Sequence, residues 1–370
     1  MENSIKKQKL PAIEYIRGIS MLGVIGIHVG SQYLMNPSAN LNLVAIFEIL
    51  TRFAVPIFFF ISAFGLFYNL NENFNYKDFM QRRFKTVLIP YLFWSSLYIL
   101  HDNLYYGFGF PSPDYLLKLF FFGLAKYHLY FLVILLWFYA LMPLWISIVK
   151  KISSRDLFLL LIFQIAFDYF SSYNYSLNML VYSLPEDSLL RDFLFYRLNY
   201  LILHYIFIFI LGGYLAVHID KFFDFMRNRK IALSTSFIFS LTAMLGYFYY
   251  LVKFQNFSLE AAVNTAHQLS PIGIIYTATA SIFFFMLFTF VVNDSMILKF
   301  LGRHSYFAYL FHPFVIFYLR LLMVKLNLLM TASNAILLYI LTVALSLIFA
   351  EKFRNSGGIV NKLTIGVYKK

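Results

Sequence analysis

Runs of about 17 to 27 mostly apolar residues, separated by short stretches that hold most of the charge, recur from one end of the chain to the other. At ~1.5 Å rise per residue, a helix of that length crosses a hydrocarbon layer of ~30 Å. The runs are continuous and not alternating, which fits helices and not a membrane β-barrel. The pattern predicts ten spans, near residues 12–34, 42–68, 84–104, 128–149, 156–173, 199–218, 231–252, 271–292, 304–325 and 333–351. The expected fold is therefore all-α: a polytopic membrane helical bundle of about ten transmembrane helices, forming one membrane domain over residues 1–370. No soluble domain is expected, because the tail 352–370 is too short for an independent fold. Within the longer outer loops (105–127 and 174–198), the stretch Asp114 to Leu124 follows a Ser-Pro start signal and predicts an interfacial helix.

Composition agrees, with 61% hydrophobic and 13% charged residues, 46 Phe and 29 Tyr, and a mean hydropathy of +0.71. The net charge of +13 would point to nucleic acid in a soluble protein, but its placement decides otherwise. One alternate set of loops, with the two termini, carries 21 of the 30 Lys and Arg: Lys6, Lys7, Lys9, Lys77, Arg82, Arg83, Lys85, Lys150, Lys151, Arg155, Lys221, Arg227, Arg229, Lys230, Lys299, Arg303, Lys352, Arg354, Lys362, Lys369 and Lys370. The opposite set holds six, and Arg17, Arg52 and Arg320 lie within spans. By the positive-inside rule both termini are expected in the cytoplasm, and an even number of spans, which puts the two termini on one side, agrees. The first apolar run lacks a small-residue cleavage site and leads at once into another span, so it reads as a span and not as a cleaved signal. The absence of cysteine removes disulfides, thiol nucleophiles and thiolate metal sites together.

The polar residues inside the spans are the candidates for chemistry. Arg17 and His28 are eleven positions apart in the first span, on nearly one helix face and roughly 16 Å apart along the axis. A neutral imidazole in a low-dielectric interior suits a general base, and an arginine near the cytoplasmic edge suits an anion entering from that side. A packing histidine and a snorkelling arginine paired to Glu14 are the plainer alternatives. Glu48 and Arg52, at i and i+4, form either a structural ion pair or the lining of a polar cavity. Pro56 is expected to kink that span. Arg82 and Arg83 answer to the positive-inside rule or also to a phosphate contact. His128 opens the fourth span near the outer surface. Ser305, Tyr309 and His312 share a face of the ninth span, as a polar stripe or as packing. His101, Asp102 and Asp168 are further polar partners, and His204, His218, His267 and His304 read as interfacial or loop residues. No P-loop, dinucleotide fingerprint, GxSxG elbow, HExxH or metal-ligand spacing is found, so no metal site is expected.

In their order along the chain these motifs resemble the membrane acyltransferase 3 family, which includes bacterial O-acetyltransferases of surface polysaccharide and peptidoglycan and the intercellular adhesion protein C group. The residues that carry the resemblance are Arg17 and His28 with ten residues between them; RFAVPIFFFISAF from Arg52, with Ala63 where the family usually has Gly; Arg82, Arg83, Pro90 and Tyr91; the His-Leu-aromatic-Phe-Leu run from His128; and LGRHSYFAYLFHP at 301–313. The resemblance implies transfer of an acyl group, most often acetyl, from cytoplasmic acyl-CoA to a sugar hydroxyl on the outer side. Arg17, with Arg82 and Arg83, would hold the CoA phosphates, and His28 would be the base. Glu48, Arg52, His128, Ser305, Tyr309 and His312 are candidates for the acceptor or for supporting the base. Some family variants are linked to an extracytoplasmic SGNH esterase-like domain; this chain lacks it, so delivery would fall to the membrane domain or to a separate partner.

The expected function is thus an acyl-CoA-dependent integral membrane O-acyltransferase of a cell-surface or lipid-linked glycan. Acyl-CoA, with acetyl-CoA foremost, is its donor substrate, and no permanently bound cofactor is expected. Its expected surroundings are the lipid bilayer of a bacterial cytoplasmic membrane and a glycan or lipid-linked sugar acceptor, with no nucleic acid; a partner protein or a homodimer stays open. A polysaccharide or lipid-linked sugar transporter or flippase is the rival reading, since intramembrane charges also suit a translocation pathway, although no paired half-sequences are seen. A synthase-complex subunit without activity of its own is the third.

Overall fold

A computed structural model describes residues 9–292 and 294–367; Lys6, Lys7, Lys369 and Lys370, counted above, lie outside the described residues. Among the described residues every regular element is helical. Six helices are long and apolar enough to cross a membrane: Pro11–Leu34, Ser154–Tyr173, Lys230–Lys253, Pro271–Phe290, Met296–Lys325 and Ala332–Ser356. Two more stretches qualify only as bent pairs, Tyr130–Ala140 with Met142–Lys151 at 70° and Ile202–Val217 with Ile219–Asn228 at 96°, so length and composition give six spans, or eight with each pair as one.

The ten expected spans depart from this where backbone hydrogen bonding is interrupted. The second breaks into Leu41–Val44, a π-helical turn Ala45–Ile49 and Pro56–Tyr68; the third begins with a π-helical turn, Phe84–Leu88, before Ile89–Tyr106. Pro56, Pro90 and Pro143 stand in the first turns of the helices that follow these breaks, where a missing N–H is tolerated. At the 70° bend Trp145 Nε1 donates to Phe138 O at 3.0 Å, supplying a partner next to the disrupted ladder. At the 96° bend His218 Nδ1 donates to Tyr214 O at 3.0 Å, so this histidine belongs to a helix break and not to an open loop.

The chain divides into two compact units, Met1–Asn71 with Ile208–Ile348, and Glu72–Phe207 with Phe349–Lys370. In the first, Pro11–Leu34 is the central helix and runs along Met296–Lys325 and Pro271–Phe290. Small residues permit this approach, as expected where lipid supplies no hydrophobic drive between helices. A Cβ on Gly302 would lie 2.1 Å from Glu14 O, and one on Gly30 would lie 2.8 Å from Glu48 Oε1. The helix buries Tyr15, Ile16, Ile25 and Val29, and a second layer of Phe59, Phe60, Phe64 and Phe285 closes behind it. In the second unit, Ile89–Tyr106 is fastened to the short helix Gly358–Ile365 by Trp94 Nε1 donating to Thr364 O at 3.0 Å. The helix foreseen at Asp114 to Leu124 runs Pro113–Phe122. Its rings Phe121 and Phe122 pack edge-on or tilted against Phe193, Tyr196 and Tyr200.

Candidate active site

His28 does not stand alone. It projects from the unbroken helix Pro11–Leu34, and its ring stacks on that of His312, with centroids 5.2 Å apart and planes 17° from parallel. The position of His312 follows from the residue after it. Pro313 has no N–H to give to Tyr309 O, four residues back, so that carbonyl loses its helical donor. His312 Nδ1 donates to it instead at 2.7 Å, with Ala308 O at 3.2 Å. These bonds place a proton on Nδ1 and the basic lone pair of neutral His312 on Nε2. The His-Pro pair is thus a local device for fixing an imidazole inside a helix.

Ser305, Tyr309 and His312 share a face, as their spacing predicts, and all three are buried. Ser305 Oγ donates to Gly302 O at 2.8 Å, a bond within its own helix, so this residue belongs to packing. Tyr309 lies between Phe58 and His312, with ring centroids 6.3 and 6.2 Å away. Arg17 is exposed on the same helix as His28. Because that helix is continuous, the shared face and the axial separation of roughly 16 Å are both retained.

Glu48 and Arg52 form a buried ion pair at 3.6 Å. Two bonds anchor it: Ser31 Oγ donates to Glu48 Oε1 at 3.0 Å, and Arg52 Nη2 donates to Val263 O at 2.7 Å. Ser31 lies one helical turn beyond His28, so the pair fixes the end of the helix that carries the imidazole. Of the two readings open at this motif, the geometry favours the structural ion pair.

The remaining candidates belong to the second unit. Arg82 is exposed in the last turn of the helix Tyr76–Arg83. Arg83 is half-buried, with its guanidinium 5.0 Å from the ring centroids of both Phe79 and Tyr139, a cation–π arrangement that binds the helix to its neighbour. His128 is buried in the turn before Tyr130–Ala140, edge-on to Tyr98 at 5.7 Å. Two of the histidines read as interfacial or loop residues are in fact buried. His304 lies under Phe300 within Met296–Lys325, and His204 is bonded through Nδ1 to Asp168 Oδ1 at 2.5 Å. The second has a plain cause: a histidine whose partner is distant in sequence, as Asp168 is from His204, looks solitary along the chain. The acid was recognisable as an intramembrane Asp168, but its imidazole was not.

These motifs can be set against known proteins. The model of the acyltransferase 3 family, described as an acyltransferase domain, matches residues 10–351. The chain belongs to that family. It is therefore a membrane acyltransferase, and the match runs through both units and through every candidate site residue named above. No curated protein and no solved structure is significantly similar to it.

Proposed function

We propose that this acyltransferase moves an acyl group, acetyl foremost, from cytoplasmic acyl-CoA to a hydroxyl of a cell-surface or lipid-linked glycan. The observation that carries this reading is the stacking of His28, which shares its helix with the exposed Arg17, on His312 from Met296–Lys325. In this reading His28 takes the proton from the acceptor hydroxyl as it attacks the thioester carbonyl, and the leaving thiolate of CoA is protonated in turn. His312, held by the Tyr309 carbonyl, orients the His28 ring. Arg17 and Arg82, both exposed, and the half-buried Arg83 are the cations offered to the CoA phosphates. Glu48 and Arg52 keep the helix end in place, and Tyr309 and His128 are the candidates for contact with the sugar.

The reading includes ten crossings, both termini in the cytoplasm of a bacterium, and the two units acting as one catalytic domain. The two stretches beyond the eight described, Leu41–Tyr68 and Phe84–Tyr106, would be the interrupted spans, as the apolar helix Pro56–Tyr68 supports.

The test supplies purified protein with radiolabelled acetyl-CoA and glycan acceptors and compares His28→Ala with the parent. Acyl-CoA-dependent labelling of the glycan that disappears in the variant is expected, and equal labelling by both would sink the mechanism. A deletion strain separates this from transport: surface polymer present but lacking ester groups fits the transferase, whereas polymer trapped inside the cell fits a flippase.

A further inference from the structure

A second constellation lies wholly within the other unit and plays no part in the mechanism above. Gln164, Asp168 and Ser171 sit on one face of the helix Ser154–Tyr173, at steps of four and three, and all three are buried. His204 lies between Asp168 and Ser171, with Nδ1 on Asp168 Oδ1 at 2.5 Å and Nε2 3.4 Å from Ser171 Oγ. Gln164 Nε2 donates to the other carboxylate oxygen, Asp168 Oδ2, at 2.6 Å, while Gln164 Oε1 accepts from Phe207 N at 2.9 Å. Arg197 Nε donates to Ser171 Oγ and to Ser171 O, each at 3.1 Å; its Nη2 donates to Ser171 O at 2.6 Å and to Asn178 Oδ1 at 2.7 Å.

Part of this is a helix ending. Arg197 satisfies a carbonyl in the last turn of Ser154–Tyr173, a place where a cation is expected. A cap needs no carboxylate and imidazole behind it, however. Nor does it need the atom order seen here, in which the acid meets one ring nitrogen and the hydroxyl meets the other. With the Asp168 carboxylate on Nδ1, the ring carries its proton there and presents the Nε2 lone pair to the hydroxyl, the arrangement that activates a serine. Arg197 Nε–H, already on Oγ, would stabilise negative charge developing on that oxygen. The 3.4 Å separation is a loose hydrogen bond, as is common for such pairs without substrate.

We propose that Ser171, His204 and Asp168 form a nucleophilic triad and that Ser171 carries an acyl group as a covalent ester. His204 Nε2 takes the hydroxyl proton as Oγ bonds to the acyl carbon of an ester or thioester. The bond from that carbon to the leaving oxygen or sulfur breaks, and the leaving group receives the proton from His204. An acceptor hydroxyl then repeats the sequence, gives its proton to His204, takes the acyl group and releases Ser171 with its proton restored. Asp168 is a positioning residue throughout. The acyl chemistry of the substrate rests on the function proposed above, whereas the triad itself does not.

The test uses the full-length protein in detergent. A fluorophosphonate probe, followed by intact mass and peptide mapping, is expected to give a single adduct on Ser171. That adduct is absent in Ser171→Ala and forms at least ~100-fold more slowly in His204→Ala. Because the chain has no cysteine, Ser171→Cys introduces a single thiol whose alkylation by iodoacetamide can be followed against pH. Its rate is expected to rise well below the ordinary thiol value of about 8.5. Adding His204→Ala should return it to that value, and Asp168→Asn should shift it part of the way. Either a His204-dependent adduct on Ser171 or a His204-dependent titration of the thiol supports the triad. Absence of both overturns it. A protein that labels at Ser171 yet never acylates a glycan from acetyl-CoA would remove the proposed donor or acceptor and leave the triad standing. The opposite result would remove the triad alone.

Discussion

His28, from the first long helix, and His312, from Met296–Lys325, stack at 5.2 Å, and a proline one residue further along holds the second ring in place. The relationship assigns different parts to the two imidazoles. In the proposed reaction, transfer by His28→Ala should fall by roughly 10² to 10⁴-fold. His312→Ala should fall by roughly 10 to 100-fold with little change in KM for the donor. Pro313→Ala returns an N–H to Tyr309 O, which then competes with His312 Nδ1. That variant should unfold at the same or a higher temperature than the parent while its kcat falls. Equal kcat for Pro313→Ala and parent would remove the proline from the argument.

The close approach at Gly302 gives a stability prediction. A methyl group there would press on Glu14 O, so Gly302→Ala should destabilise by about 1–3 kcal/mol in thermal unfolding. Gly246 is a contrasting control: it lies inside the helix Lys230–Lys253 with open space around the added carbon. Gly246→Ala should stabilise by about 0.5–1 kcal/mol.

Removing one member of the Glu48–Arg52 pair leaves its partner buried. Arg52→Ala is expected to destabilise by roughly 3–5 kcal/mol, and the double variant Glu48→Gln/Arg52→Met by clearly less. Denaturation of Glu48→Gln, Arg52→Met and the double variant, set against the parent, closes a cycle that measures the coupling.

Lys118 supplies a pH prediction outside the spans. Burial works against its charge, but the hydrogen bond and charge of Asp192, aided by Tyr196 and Tyr115, outweigh burial and raise its pKa above the ordinary lysine value. A raised pKa in the folded state means that the contribution is complete below the unfolded value of about 10.4 and is lost as pH climbs through the folded one. Amide protection factors over residues 113–122 and 189–195, taken relative to the base-catalysed intrinsic rate, should therefore be steady through neutral and mildly alkaline pH and fall only above that range. Lys118→Met should remove the alkaline step.

Single cysteines test the topology directly, since the chain supplies a cysteine-free background. Lys9→Cys and Lys362→Cys should react with an impermeant maleimide only after cells are opened, and Ser188→Cys should react in intact cells. Labelling of Lys9→Cys in intact cells would reverse the proposed orientation.

Much of the fold and part of the site could be read along the chain. The apolar runs, the charge asymmetry, the shared face of Ser305, Tyr309 and His312, and the order of motifs that gives the family all depend on local spacing, because helix periodicity and hydrocarbon thickness act on contiguous residues. Pro313 beside His312 was equally visible, and its consequence is a single lost N–H. What the sequence could not supply is partnership at a distance: His28 with His312, Arg52 with Val263, and His204 with Asp168 and Ser171. Each depends on which helices lie side by side; along Pro11–Leu34 that is decided by glycines that let backbones meet. The tertiary structure also decided where apolar runs break, since a proline or a capping side chain redirects a helix without altering its hydropathy. Composition and local period thus determined that this is a helical membrane protein, and the ordered motifs carried its resemblance to the family. Helix packing alone determined which polar side chains meet.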